Sequence, residues 1–245
     1  MSALALNQAS LRYDNGFTAL HEVTAQFDTG SFTALVGPSG CGKSSLLRLL
    51  AGLEQPVTGS VTGLAQSDIG FVFQEPTLMA WRSVADNITL PLKIEGHEPR
   101  EIDKRLDEAL QLVGLTDFAE ALPRQLSGGM KMRVSLARAL AKRPPVLLMD
   151  EPFAALDELT RFRLDDDLRA IWQQQGCTIV FVTHSVTEAA YLAERALVMQ
   201  AGRLQQEITI DQSARDDGFR SSRVFAQASA ALSQALGFNH ESKQA

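Results

Sequence analysis

Eight residues, Gly37-Pro38-Ser39-Gly40-Cys41-Gly42-Lys43-Ser44, match the pattern G-x-x-x-x-G-K-[ST] at each fixed position. The chemistry such a run performs is the binding of phosphate. Glycines let the backbone turn tightly, so that successive N–H groups point inward at anionic oxygens. A helix starting there adds the positive end of its dipole. Lys43 supplies a point charge for the β- and γ-phosphates, and the Ser44 hydroxyl can ligate Mg2+. A glycine-rich turn before an ordinary helix is the plainer alternative.

More residues carry chemistry further along. Asp150 and Glu151 close the apolar run Val146-Leu147-Leu148-Met149. Carboxylates at the end of a buried strand sit where α/β proteins bind ligands. Asp150 can hold Mg2+, and Glu151 can polarise an attacking water as general base. His184 follows a second apolar strand and can hydrogen-bond a γ-phosphate and orient that water. Gln74 ends the run Ile69–Phe73, where a neutral amide can contact Mg2+ or its water. Tyr13 ends the first strand; its ring can stack on a base, or it can be an exposed strand-end tyrosine. Ser127 before Gly128 and Gly129 is either a plain helix N-cap or, with two bare N–H groups behind it, a second anion cradle. Capping alone does not call for two consecutive glycines.

The elements that must position these groups are legible in outline. Leu4–Tyr13 and His21–Phe27 alternate like strands, beside the turn signals Asp14-Asn15-Gly16 and Asp28-Thr29-Gly30. Ser31–Val36 reads as the strand before the glycine-rich loop, and Ser45–Ala51 as the helix after it. Val57–Phe73 holds further short β candidates. An irregular apolar segment, Pro76–Arg82, precedes a helix over Arg100–Val113, whose apolar residues recur at helical spacing. A second helix spans Ser127–Lys142 and stops at Pro144-Pro145. Helices over Glu158–Gln175 and Ser185–Leu192 flank a buried strand, Thr178–Val182. Ala196–Met199 and Arg203–Ile210 form a hairpin. Arg223–Leu236 is amphipathic on Val224, Ala228, Ala231 and Leu232, and Asn239–Ala245 is a polar tail. Strands alternating with helices predict an α/β fold: a P-loop NTPase core with a mostly parallel sheet, an N-terminal antiparallel β subdomain and a helical insertion. The body spans 1–220, the insertion about 75–143, and a C-terminal helix and tail 221–245.

The chain has 245 residues, 45% of them hydrophobic, enough for one large or two small cores. A net charge of −6 argues against a nucleic-acid partner. Cys41 and Cys177 show no C-x-x-C spacing and read as structural thiols. The N-terminus lacks the pattern of a secretory signal, and no apolar run reaches the length of about eighteen residues that a membrane helix requires. The expectation is a soluble, cytoplasmic chain.

Taken in order, the P-loop, Gln74, Leu126-Ser127-Gly128-Gly129-Met130, Asp150-Glu151, Ala155-Leu156-Asp157 and His184 resemble the nucleotide-binding subunit of an ABC transporter over roughly residues 1–210. The resemblance implies ATP with Mg2+, the ATP-binding set extending through Ser45, and hydrolysis served by Lys43, Glu151 and His184. It implies a head-to-tail dimer in which Ser127, Gly128 and Gly129 act on the partner's ATP and Asp157 lies at the interface. Val72–Trp81, Ser83–Ile88 and Glu151–Asp157 are similar to importers of nitrate, sulfonates and taurine. That implies integral membrane permease subunits, a solute-binding protein, and a place on the cytoplasmic face of the inner membrane. The region after Gln74 is then the groove that takes a permease helix, with Met79, Ala80, Trp81 and Val84 giving it apolar character; Trp81 as a core residue is the alternative. Met130 stands where the general pattern has Gln and is not expected to be a ligand. A soluble ABC-type ATPase working on nucleic acid or ribosomes is the rival reading. It usually carries two nucleotide domains or a long coiled coil, and this chain has one P-loop and no long heptad run. A P-loop kinase for small molecules leaves Ser127–Gly129 and Asp157 unexplained.

Overall fold

Alternation at the start of the chain produces an antiparallel sheet. β1 (Ser2–Arg12) lies between β2 (Thr18–Asp28) and β4 (Thr58–Gly63), both antiparallel to it. Along β2, Val23, Ala25 and Phe27 are buried and Glu22, Thr24 and Gln26 exposed, the one-sided pattern of a sheet with one face on a core. The computed structural model describes residues 2–63, 65–154, 156–211 and 218–237. Ala155 and the expected polar tail, Asn239–Ala245, lie outside them.

Two compact units divide the chain, one of Met1–Gly63 with Val180–Ala245 and one of Leu64–Ile179. The boundary falls inside β7 (Thr178–Val182). In the first unit the strand order is β7, then β3 (Phe32–Val36), β8 (Arg195–Gln200) and β9 (Arg203–Thr209). β3 and β8 are parallel, and β9 returns antiparallel as the expected hairpin. Every residue of β3 is buried, as a continuous apolar strand requires. α1 (Lys43–Leu50) buries Leu46, Leu47, Leu49 and Leu50. α6 (Val186–Leu192) packs against α7 (Arg223–Ala235). The inward edge of α7 differs from the expected one: Leu232 is fully buried, but Ala231 is exposed. Phe225 takes that role, its ring 5.8 Å from Phe219, which in turn lies 6.0 Å from Tyr191 of α6.

The second unit pairs β5 (Ile69–Val72) parallel with β6 (Val146–Asp150). Its helices α2 (Val84–Ile94), α3 (Pro99–Leu112) and α4 (Gly128–Leu140) close on a core of Val84, Ile88, Leu92, Leu110, Val134 and Ala137. α5 (Glu158–Gln175) ends at Gly176, whose φ of 65° is the left-handed cap that glycine accepts most readily. α2 has no counterpart in the sequence reading. Pro91 in its interior removes an N–H from the ladder and obscures the helical pattern, yet Ser83 caps the helix through the Asp86 N–H at 3.1 Å. Among the described residues no helix is long and apolar enough to cross a membrane.

Candidate active site

The glycine-rich loop joins the end of β3 to the start of α1, so the expected strand–loop–helix context is present. Two glycines in it answer to steric demands. A Cβ on Gly37 would stand 2.3 Å from the Met199 carbonyl oxygen. Gly42, the N-cap of α1, has a φ of 103° and lies against the Ala19 carbonyl. Lys43 is the first residue of α1 and only 5% exposed. Its Nζ donates to the carbonyls of Gly37 at 2.8 Å and Pro38 at 3.0 Å, and lies 3.8 Å from Cys41 Sγ. The loop is thus wrapped around its own ammonium group, which concentrates positive charge where an anion would be held. Pro38, Ser39 and Gly40 form its exposed rim, and Ser44 is half-buried. Gly202 of the β8–β9 turn donates its N–H to the Cys41 carbonyl at 2.9 Å and braces the loop from behind.

Tyr13 and Ser45 come together in the same unit, their hydroxyls 3.0 Å apart. That bond ties the end of β1 to α1 and leaves the Tyr13 ring half-buried. His184 is exposed just beyond β7. Asp150, the last residue of β6, is 7% exposed. Glu151 follows with a φ of 46°, a left-handed backbone that costs a non-glycine residue about 1–3 kcal/mol and is typical of functional positions. Gln74 Nε2 donates to Glu151 Oε2 at 3.4 Å, a pairing the sequence reading, which treated the two separately, does not contain.

Ser127 is the N-cap of α4, its Oγ accepting the Met130 N–H at 3.2 Å, so the plain capping role is real. Of the two glycines after it, Gly129 is close to its own chain, where a Cβ would stand 3.2 Å from Thr160 Cγ2, and Gly128 is not. Neither has a positive φ, and a Cβ on Gly128 would meet nothing within 4 Å among the described residues. The exposed start of α4 therefore offers bare backbone N–H groups outward. Asp157 caps α5 and is exposed; the Thr160 N–H, 3.0 Å from its Oδ1, holds the carboxyl below the usual carboxylate range.

The segment after Gln74 corrects one expectation and decides another. Val84 is fully buried in the helical core and lines no groove. Trp81 is 77% exposed, which removes its reading as core. Two residues that the sequence reading missed hold this segment. Asn87, fully buried, accepts the Met79 N–H at 2.8 Å and donates to the carbonyls of Met79, Arg82 and Ser83. Arg138 of α4 donates to the carbonyls of Pro76 and Thr77 and to the Thr77 hydroxyl, at 3.2, 2.9 and 3.0 Å. Burial pulls the pKa of this guanidinium below its ordinary value. A polar residue one turn before Pro91 is the signal that could have found Asn87; nothing in sequence marks Arg138.

Residues 20–154 match the family model described as ABC transporter. The nitrate import ATP-binding protein NrtD of Synechocystis sp. is 43% identical over 84% of this chain and 80% of its own length. The aliphatic sulfonates import ATP-binding protein SsuB 2 of Pseudomonas syringae pv. tomato is 45% identical over 82% of this chain and 85% of its own. Among solved structures, a dimeric ATP-binding cassette in a post-hydrolysis state bound to ADP and Pi superposes with a TM-score of 0.78, at 33% identity, over 85% of this chain and 99% of that one.

Proposed function

Because the chain belongs to the ATP-binding proteins of the ABC transporter family, we propose that it is the ATP-hydrolysing subunit of an importer for a small oxyanion or sulfonate, nitrate, taurine and aliphatic sulfonates being the leading candidates. The observation that carries the nucleotide part is the loop Gly37–Gly42 closed around Lys43 Nζ at the start of α1. Names of the relatives carry the cargo class.

In this reading Gly37, Pro38, Ser39, Gly40, Cys41, Gly42, Lys43, Ser44 and Ser45 hold the phosphates, and Tyr13 supports the base. Glu151 takes the proton from the attacking water, and His184 positions the γ-phosphate. Ser44, Gln74 and Asp150 offer a hydroxyl, an amide oxygen and a carboxylate, the oxygen donors that suit a hard divalent cation. Mg2+, when bound, would supply charge neutralisation at the phosphate oxygens. Ser127, Gly128 and Gly129 serve the ATP of a second copy, and Asp157 lies at that interface. The unconstrained Gly128 supports this, since a Cβ there would meet nothing within 4 Å among the described residues. Exposed Trp81, on a segment pinned by Asn87 and Arg138, suits docking of permease subunits at the cytoplasmic face of the membrane. A solute-binding protein completes the complex; the net charge of −6 supports the absence of a nucleic-acid partner.

The test is affinity capture of the chain from its own cells, followed by growth of a deletion strain on nitrate, taurine and alkanesulfonates as sole nitrogen or sulfur source. Recovery of integral membrane proteins and loss of growth on one of these sources are expected. Recovery of ribosomes with unaltered growth overturns the importer reading.

A further inference from the structure

Ser185-Val186-Thr187-Glu188 has the spacing of a capping box, in which the acid reaches back to the N–H of its own N-cap residue. Half of that box is present: Ser185 Oγ accepts the Glu188 N–H at 3.2 Å. The return half is rerouted. The Ser185 N–H donates to Thr183 Oγ1 at 2.9 Å, and the Thr183 hydroxyl donates to Glu188 Oε2 at 2.5 Å. The result is a closed ring of hydrogen bonds through Thr183, Ser185 and Glu188. His184 is the residue it encloses.

Three facts make this ring a device for holding His184. Thr183 and Glu188 are 2% and 5% exposed, whereas His184 is exposed, so the anchors lie inside and the imidazole outside. A carboxylate that deep must be hydrogen-bonded to keep its charge, which makes the Thr183 hydroxyl costly to lose. The Thr183 N–H also donates to the Leu35 carbonyl at 3.2 Å. Leu35 is on β3, two residues before Gly37, so the ring ties the backbone of His184 to the strand that launches the phosphate loop, within one unit.

We propose that Thr183 and Glu188 are positioning residues for His184, setting its imidazole against the phosphate loop through the hydroxyl–carboxylate relay. The inference rests on the reading of His184 as the γ-phosphate contact. A plain capping box would serve the helix equally well without Thr183; the relay adds control over the residue before the cap.

The experiment is steady-state ATP hydrolysis by the purified full chain and its variants H184A, T183V, T183S and the double variant T183V/H184A. T183V keeps the shape of the side chain and deletes the hydroxyl. It lowers kcat on the order of tenfold or more, as expected for a misplaced catalytic group, and leaves KM for ATP within about twofold. T183S restores kcat. The double variant is no slower than H184A, because Thr183 acts only through His184. Should T183V not fold, E188M removes the relay's acceptor from the other end and is read in the same way. Wild-type turnover in T183V alongside an impaired H184A overturns the positioning role alone. Additive losses in the double variant do the same, since they mark a purely structural effect. Full turnover in H184A overturns the role of His184 and this inference with it.

Discussion

The side-chain amide of Gln74 donates to the carboxylate of Glu151 across 3.4 Å, and Glu151 holds a left-handed backbone of φ 46° while accepting it. The group proposed to contact the metal and the group proposed to take the proton are therefore not independent. A carboxylate that accepts from Gln74 has one oxygen directed, and a movement of Gln74 redirects it. The segment carrying Gln74 runs on to exposed Trp81.

Glu151→Gln keeps the shape of the site and removes the base. It is expected to retain ATP binding, to lose turnover by about 10²–10⁴-fold and to accumulate dimers. Fluorescent-nucleotide titration, phosphate release and size-exclusion chromatography with ATP report the three effects. Undiminished phosphate release would show that another group takes the proton.

Lys43→Ala removes the ammonium that the carbonyls of Gly37 and Pro38 enclose. Nucleotide affinity falls by at least about tenfold, measured by calorimetry, because a charge-assisted contact contributes about 1.5–3 kcal/mol. An unchanged Kd would mean that the loop binds phosphate through its backbone alone.

Ser127→Arg places a bulky cation at the exposed start of α4 and leaves its own P-loop intact. Alone, it and Lys43→Ala are both inactive. A mixture of the two regains hydrolysis, since in mixed dimers one P-loop meets one unaltered Ser127–Gly129 segment. A mixture as inactive as its components speaks against action in trans.

Asn87→Ala removes four part-buried hydrogen bonds, one from the Met79 N–H and three to the carbonyls of Met79, Arg82 and Ser83. The expected cost is about 3 kcal/mol, read from the shift of the urea midpoint at constant m-value. Asn87→Asp keeps the acceptor but loses the donors and is expected to fare no better. A shift equivalent to under about 0.5 kcal/mol, the range of ordinary surface substitutions, would mean that the segment is held by other contacts.

Burial pushes the Cys177 thiol up to about 11 from its ordinary value of 9.0. The folded state favours the protonated form, so this contribution to stability is complete below pH 9 and fades as pH rises towards 11. Labelling with iodoacetamide at pH 8 is expected to spare Cys177 in the folded chain and to reach it after denaturation. Equal labelling rates in both states would contradict the burial.

Local chemistry made much of this molecule readable. The phosphate loop, the strand before it and the helix after it follow from glycine placement and apolar runs that need no distant partner. Ser127 announces a helix start because capping is a matter of adjacent residues. What sequence hides is where the chain meets itself. The Gln74–Glu151 bond joins residues 77 positions apart, and Arg138 reaches 61 positions back to Thr77. α2 was masked by Pro91, a residue that ordinarily breaks helices and here lies in a helix whose Ile88 and Leu92 are buried in the core. Val84 and Trp81, equally apolar on paper, divide into core and surface because Ser83 starts a helix between them.

The brace behind the phosphate loop bears on how the protein is born. Met199 and Gly202, which back Gly37 and Cys41, are made more than 150 positions later. On the ribosome the loop is synthesised early and stays without its backing until the β8–β9 hairpin has left the exit tunnel. A nascent chain stalled before residue 202 thus carries every residue of the motif without the Gly202 N–H that braces Cys41. The backing of the loop therefore arrives long after the loop itself.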